Sequence, residues 1–224
     1  MRAGVSFVPS AMSESALIQC AQDAEELGFD CCWLTSPDDD VVATVAALAQ
    51  STRRIAIGTG VLPIATCSEE ELVDLVQQLV ECSGYRFVCG LGIGLPPYPE
   101  HSLTRMRGAV RAVRAATAER QVPLYIGALS PRMLRLTGAL ADGWLASTYA
   151  PYEPLLSVVR DAAAGAGRAA GSVDLCVPVT ADTNVAASFA AARNAGATGV
   201  RVESVGDTSS EKLRSLERIP PLVA

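Results

Sequence analysis

The residues best suited to chemistry form one turn, Gly127, Ala128, Leu129, Ser130, Pro131 and Arg132, set between the apolar run 124–126 and a helix-forming segment. Gly127 and Ala128 remove side-chain bulk where the run ends. Ser130 is a residue type that caps helices, and Pro131 falls at the first helical position, where its missing N–H costs nothing. The amides around Gly127–Arg132 would then lack an intrahelical partner and lie at the positive end of a helix dipole, with Arg132 beside them. Such a pocket suits a phosphate. The same residues also describe an ordinary strand-to-helix turn, and locally the two readings stay open.

Other chemistries lack their residues. The seven cysteines are odd in number, form no C-x-x-C pair and lie mostly inside apolar periodic segments, where a thiol packs as a small hydrophobe. His101 is the single histidine, so a zinc set or a Cys/His dyad has no suitable spacing, and no metal is expected. Lys212 is the only lysine, which argues against Schiff-base chemistry. A net charge of −6 and the absence of a basic stripe argue against nucleic acid and favour a small-molecule substrate. No apolar run reaches membrane-spanning length and no signal peptide is evident, so no membrane partner and a cytoplasmic location are expected.

The turn needs elements to hold it, and these alternate along all 224 residues, half of them hydrophobic. Strands are predicted at 3–8, 31–34, 55–62, 86–93, 124–126, 143–147, 173–179 and 199–203. Between and after them fall helical segments: 13–28 opened by Ser13, 41–50 after the acidic run Asp38, Asp39, Asp40, and the helix begun by the capping pattern Ser68, Glu69, Glu70, Glu71. An arginine-studded amphipathic helix is predicted at 104–119, the helix after Ser130 follows the turn, and others fall at 154–164, 185–195 and 209–217. Residues 162–171, rich in small side chains, read as a loop. Eight apolar strands, each followed by a crossover long enough to be helical, predict an α/β fold, a compact single-domain (β/α)8 TIM barrel over 1–224. An open doubly wound sheet alternates the same way, but no G-x-G-x-x-G follows the first strand. The glycines instead mark the ends of strands three, four and five, where a barrel gathers its site.

Several stretches together resemble the luciferase-like monooxygenase superfamily of flavin- and deazaflavin-dependent barrel enzymes. They are Gly4-Val5-Ser6-Phe7-Val8-Pro9, Ala24-Glu25-Glu26-Leu27-Gly28-Phe29-Asp30 leading to Trp33, and Thr52-Arg53-Arg54-Ile55-Ala56-Ile57-Gly58-Thr59-Gly60-Val61. Ser83-Gly84-Tyr85-Arg86-Phe87 with Gly90-Leu91-Gly92-Ile93-Gly94, and Ala141-Asp142-Gly143-Trp144, complete the set. The stretch from Tyr125 to Leu134 is most similar to the branch of coenzyme F-420-dependent oxidoreductases that includes methylenetetrahydromethanopterin reductases.

The resemblance implies a cofactor site and a reaction. Gly127, Ala128, Ser130, Arg132 and Met133 would hold the cofactor phosphate. Gly58, Gly60 and Val61, with Gly92, would back the ring from a strand-three bulge, often through a non-proline cis peptide that here would be Gly60–Val61. Hydride transfer between coenzyme F-420 and a small organic substrate is the implied reaction; the alternatives are an FMN-dependent monooxygenase, and a cofactor-binding barrel without redox turnover or with a non-redox biosynthetic role. A proton donor or acceptor is needed nearby, and the candidates are Asp38, Asp39, Glu100, His101, Tyr149 and Glu203, with Asp38, Glu100 and His101 placed first. Two departures from the family pattern stand out: Ser36-Pro37-Asp38 and Thr66-Cys67-Ser68 replace expected histidines, and residues 120–123 connect directly where longer relatives insert a roof. A shallow pocket covered by a second subunit, in a homodimer, is the expectation.

Overall fold

Short apolar strands and capped helices alternate because each local choice along the chain agrees with its neighbour. In a computed structural model describing residues 1–35, 40–94, 96, 98–148, 150–182, 184–203 and 211, the strands are β1 (Arg2–Phe7), β2 (Cys31–Leu34), β3 (Ala56–Thr59), β4 (Phe87–Gly92), β5 (Leu124–Gly127), β6 (Gly143–Leu145), β7 (Asp174–Thr180) and β8 (Gly199–Glu203). Helices α1 (Glu14–Glu26), α2 (Val41–Ser51), α3 (Glu69–Cys82), α4 (Ser102–Ala116), α5 (Pro131–Leu140), α6 (Glu153–Gly165) and α7 (Val185–Ala195) lie between them. The helix expected at 209–217 lies outside the described residues, Glu211 excepted.

All pairings are parallel, β1 lies between β2 and β8, and the ring closes where β3 meets β4 through Ile57↔Phe87 and Gly58↔Val88. The result is the closed eight-stranded barrel predicted from the alternation. The caps are the ones the sequence signalled: Ser13 accepts from the Ala16 amide, Asp40 from Ala43 and Ser130 from Met133, while Ser68 and Glu71 form a complete capping box. Several element ends shift by a few residues, as in α4, which runs Ser102–Ala116 where 104–119 was expected, and two differences bear on the fold. Helix α6 continues to Gly165, absorbing the first residues of the expected loop 162–171, because its alanines favour helix over an open connection. The third strand, expected over 55–62, stops at Thr59 and resumes only as Leu62–Pro63.

The helices bury one face against the outside of the barrel, and the main core lies in that layer. Three carboxylates belonging to the family-like stretches tie the frame together. Asp30 accepts from the Ala3 amide at 2.8 Å, and Asp142 accepts from Leu124 at 2.8 Å while pairing with Arg114 at 2.8 Å. Glu25 takes the amides of Arg53, Arg54 and Ile55 at the entry to β3. Partial burial raises the Glu25 pKa, but donations from Ile55, Arg54 and Arg53 outweigh it and hold the carboxyl below its usual value. A depressed folded pKa contributes stability above the unfolded value, and that contribution is lost as pH falls through the folded value. Glu25→Ala is therefore expected to cost about 1–2 kcal/mol at pH 7, discounted for solvent exposure. In urea titrations the gap between wild type and variant should narrow at pH 3; an unchanged gap would contradict this role.

Candidate cofactor and active site

Inside the barrel, side chains from alternate strand positions meet. Cys31, Trp33, Val88, Tyr125, Leu145 and Cys176 form a separate interior cluster against which Ala56 and Val61 pack. Trp33 and Tyr125 meet edge to face, their ring centroids 5.2 Å apart. A side chain on Gly58 would place its Cβ 2.6 Å from the Trp33 ring, so that glycine makes room for the indole. Below, the Tyr125 hydroxyl donates to Asp174 at 2.7 Å, the Thr198 hydroxyl donates to the other carboxylate oxygen, and the Arg2 guanidinium lies 3.4 Å away. Burial, then the Asp174 charge and the hydrogen bond to it, push the Tyr125 phenol well above its ordinary value, so it remains a donor. This buried network closes the N-terminal end, and the open end is the C-terminal one, where barrels of this kind carry their sites. Burial also pushes the Cys89 and Cys176 thiols up to about 12, so they pack as apolar groups and not as thiolate nucleophiles.

At the open end the wall between β3 and β4 is irregular. Gly58 pairs with Val88 and Leu62 with Leu91, which leaves Thr59, Gly60 and Val61 opposite only Cys89 and Gly90. One extra residue on one strand is a β-bulge. The Gly60–Val61 peptide is cis, at the position the resemblance implied. Thr59 takes over the missing ladder, its hydroxyl donating to the Gly90 carbonyl at 3.1 Å and accepting from the Gly90 amide at 3.0 Å. The bulge turns Val61 across the mouth, where its methyls occupy the space a Cβ would need on Gly92 (2.2 Å) and crowd the one Gly127 would carry (3.1 Å). Residues 61, 92 and 127, far apart in sequence, thus form one wall free of projecting side chains except Val61.

The turn after β5 continues this wall. Ser130 caps α5, Pro131 occupies its first turn, and Arg132 is exposed beside it. Trp144, fully buried, donates from Nε1 to the Ala128 carbonyl at 3.0 Å and fixes the turn from behind. Ala128 and Met133 are buried under it. Pro131 brings no N–H, Ser130 takes the amides of Met133 and Leu134, and the Arg132 amide is left without a helical acceptor, so the bulge wall and the positive end of α5 stand side by side.

Of the residues expected to bind cofactor, the structure brings Gly60, Val61, Gly92, Gly127, Ala128, Ser130, Arg132 and Met133 to this edge of the mouth. Gly58 is placed differently: the Trp33 indole fills its space, inside the barrel below the mouth. Glu100 and His101 lie on the mouth side in the β4–α4 connection, both exposed, and His101 begins α4 with a left-handed backbone (φ 57°) and no side-chain cap. Their side chains make no hydrogen bond or ion pair among the described residues. Asp38, Asp39 and Tyr149 lie outside the described residues. Across the mouth stands a pair the residue reading did not join: the buried Arg201 donates from Nε to Glu203 at 2.8 Å. Its signal was the spacing, since residues two apart on a strand share a face.

A closed parallel barrel whose third strand breaks into a glycine-flanked bulge, beside a proline-started helix after the fifth, defines an α/β-barrel protein with a candidate ligand site at its C-terminal face. The family model described as luciferase-like monooxygenase matches residues 3–120 and 98–201, and the chain belongs to that family. The 5,10-methylenetetrahydromethanopterin reductase of Methanolobus tindarius is 30% identical over 226 residues, covering 85% of this chain and 69% of that protein. Its namesake from Archaeoglobus fulgidus is 31% identical over 181 residues, covering 67% of this chain, which spans only about half (54%) of that relative's length. The structure of the coenzyme F-420-dependent tetrahydromethanopterin reductase from Methanopyrus kandleri superposes with a TM-score of 0.77 at 16% identity, covering 97% of this chain and 96% of that one, and shows the fold.

Proposed function

We propose that this chain binds coenzyme F-420 in the barrel mouth and transfers a hydride between that deazaflavin and a small organic substrate. One observation carries the reading: Val61 of the bulge, Gly92 and Gly127 form a single wall next to the start of α5. The residues fit the group. A planar ring needs a flat wall, which Gly60, Val61, Gly92 and Gly127 provide, and a phosphate needs the positive end of a helix, where Arg132 offers its amide and its guanidinium beside Ser130. When bound, the deazaflavin supplies the hydride-carrying carbon. The chain's own residues bind, orient and exclude water: Trp144 holds the turn, Thr59 holds the bulge, and the Tyr125–Asp174 floor keeps solvent out from below. The reductase names of the two sequence relatives support the same reading.

Proton transfer is assigned to Asp38, Glu100 or His101. Asp38→Asn, Glu100→Gln and His101→Gln, compared one at a time, should include one variant with turnover lowered by about 100-fold or more and cofactor affinity unchanged. Full activity in all of them would remove these residues as the acid–base group. The binding claim is tested by titrating the purified protein separately with F-420 and FMN. Micromolar F-420 binding is expected, and binding of neither cofactor overturns the proposal. An FMN-dependent monooxygenase is the second reading, favoured by the family's own description, because both cofactors share a ribityl phosphate that the α5 turn would hold; protein purified yellow with bound FMN would select it. Tight cofactor binding with no turnover on a broad substrate panel would select a binding barrel instead.

The working unit we propose is one domain over 1–224, cytoplasmic, acting on a small molecule and not on nucleic acid or membrane. Among the described residues no helix is long and apolar enough to cross a membrane. A homodimer is proposed to roof the mouth, since Val8, Tyr98 and Leu129 are exposed in the connections that follow β1, β4 and β5.

A further inference from the structure

The mouth has a second half that the cofactor reading leaves unused. Opposite the glycine wall, the ends of β6, β7 and β8 border an open pocket of about 490 Å³ whose lining includes Thr148, Tyr152, Glu153, Pro178, Thr180 and Glu203. This half is polar where the other is bare, which is the division expected if a planar group rests on one side and a second, smaller molecule on the other.

We infer that this pocket is the substrate subsite and that Glu203 is its hydrogen-bond acceptor, selecting small neutral or cationic molecules with N–H or O–H donors over carboxylates. The inference rests on the cofactor reading for the word substrate, but the selectivity follows from this pocket alone. Arg201 and Glu203 share the inner face of β8, and Arg201 stands beside Pro178 of β7 as Glu203 stands beside Thr180. The guanidinium is buried, its side chain 7% exposed against 27% for Glu203, and it donates to one Glu203 oxygen at 2.8 Å and to the Ala146 carbonyl at 3.4 Å. A buried arginine must be paired, so its charge is spent on the carboxylate and is not offered to a ligand. Glu203 lines the pocket with one carboxylate oxygen held by Arg201 and the other without a partner among the described residues. The other polar groups of the lining, among the described residues, are the Glu153 carboxylate and the hydroxyls of Thr148, Tyr152 and Thr180, and none of these described lining residues is basic. Such a site receives donors and repels anions.

Three probes sharing one ring separate the possibilities: cyclohexylamine as its ammonium ion, cyclohexanol and cyclohexanecarboxylate. Their binding to the whole protein, with and without F-420, is followed by ligand-observed NMR titration. The ammonium ion and the alcohol are expected to bind, the ammonium at least about tenfold more tightly than the carboxylate, and F-420 is expected not to displace them. In Glu203→Gln the tenfold preference should vanish while F-420 affinity stays within twofold. Should Glu203→Gln fail to fold around an unpaired Arg201, the double variant Arg201→Met with Glu203→Gln leaves no buried lone charge and carries the same readout. Carboxylate binding as tight as the ammonium's, or a preference that survives removal of Glu203, overturns the assignment, and displacement of the probes by F-420 overturns a separate subsite. If F-420 does not bind while the probes behave as expected, the pocket's selectivity stands and it is the cofactor reading that falls.

Discussion

Gly127→Val is expected to raise the dissociation constant for F-420 at least about 100-fold, close to 2.7 kcal/mol, while shifting the melting temperature by no more than about 5 °C. Gly127 ends β5 at the mouth, half-buried, and a Cβ there would already lie 3.1 Å from Cγ1 of Val61. The methyls of valine would occupy the flat surface on which the ring is proposed to rest and the approach to the first amides of α5. Val61 is itself at the open end and has room to yield, so the fold should survive. Fluorescence titration of the deazaflavin reads the effect directly. Binding within threefold of wild type would mean that the cofactor, if it binds, rests somewhere other than on this wall.

Gly90→Ala should give the largest loss of stability, at least about 4 kcal/mol by chemical denaturation, in the range reserved for changes that force backbone to move. The added Cβ would fall 1.8 Å from the Thr59 carbonyl oxygen, with Cδ1 of Leu145 3.2 Å away on another side. No flexible side-chain end is available to swing aside. Relief requires β3 and β4 to separate, which breaks both hydrogen bonds between the Thr59 hydroxyl and Gly90. Thr59→Val removes the same bonds without the clash and should cost about 2–4 kcal/mol, since a buried amide and a carbonyl lose their partner. If the alanine variant were less harmful than the valine one, the close approach of the two backbones would not be what shapes the bulge.

Much of the frame was legible because its causes are local. Ser130 followed by Pro131, Ser68 with Glu71, and Asp40 before an apolar helix each cap within one turn, and each appears in the structure as read. The same holds for the break at Gly60–Val61, which the resemblance located to the residue. Locality also explains the misreadings. Gly58 was a cofactor contact only in what the resemblance implied for the strand-three segment, yet it lies within β3 below the bulge, where the Trp33 indole fills the space beside it, a fit only the assembled barrel reveals. The loop expected at 162–171 began as helix because composition alone does not say where α6 runs out of partners.

Glu25, Asp30 and Asp142 are a different lesson. They belong to the stretches that carry the family resemblance, but each holds backbone amides in the frame and none stands at the mouth. Charged residues in a recognisable motif therefore marked architecture here, whereas the carboxylate that lines the pocket, Glu203, lay outside the stretches that carry the resemblance.

The amino-acid sequence by itself determined the alternation of strands and helices, the caps that start them and the glycine turn ahead of α5, because these depend on residue type and on spacings of a few positions. Tertiary structure alone decided that Val61 meets Gly92 and Gly127, that Thr59 bridges to Gly90, and that Glu203 is held by Arg201 above a pocket bounded by β6 and β7. Those contacts join residues tens of positions apart, and their geometry is set by barrel closure and strand register, which no short window of sequence contains.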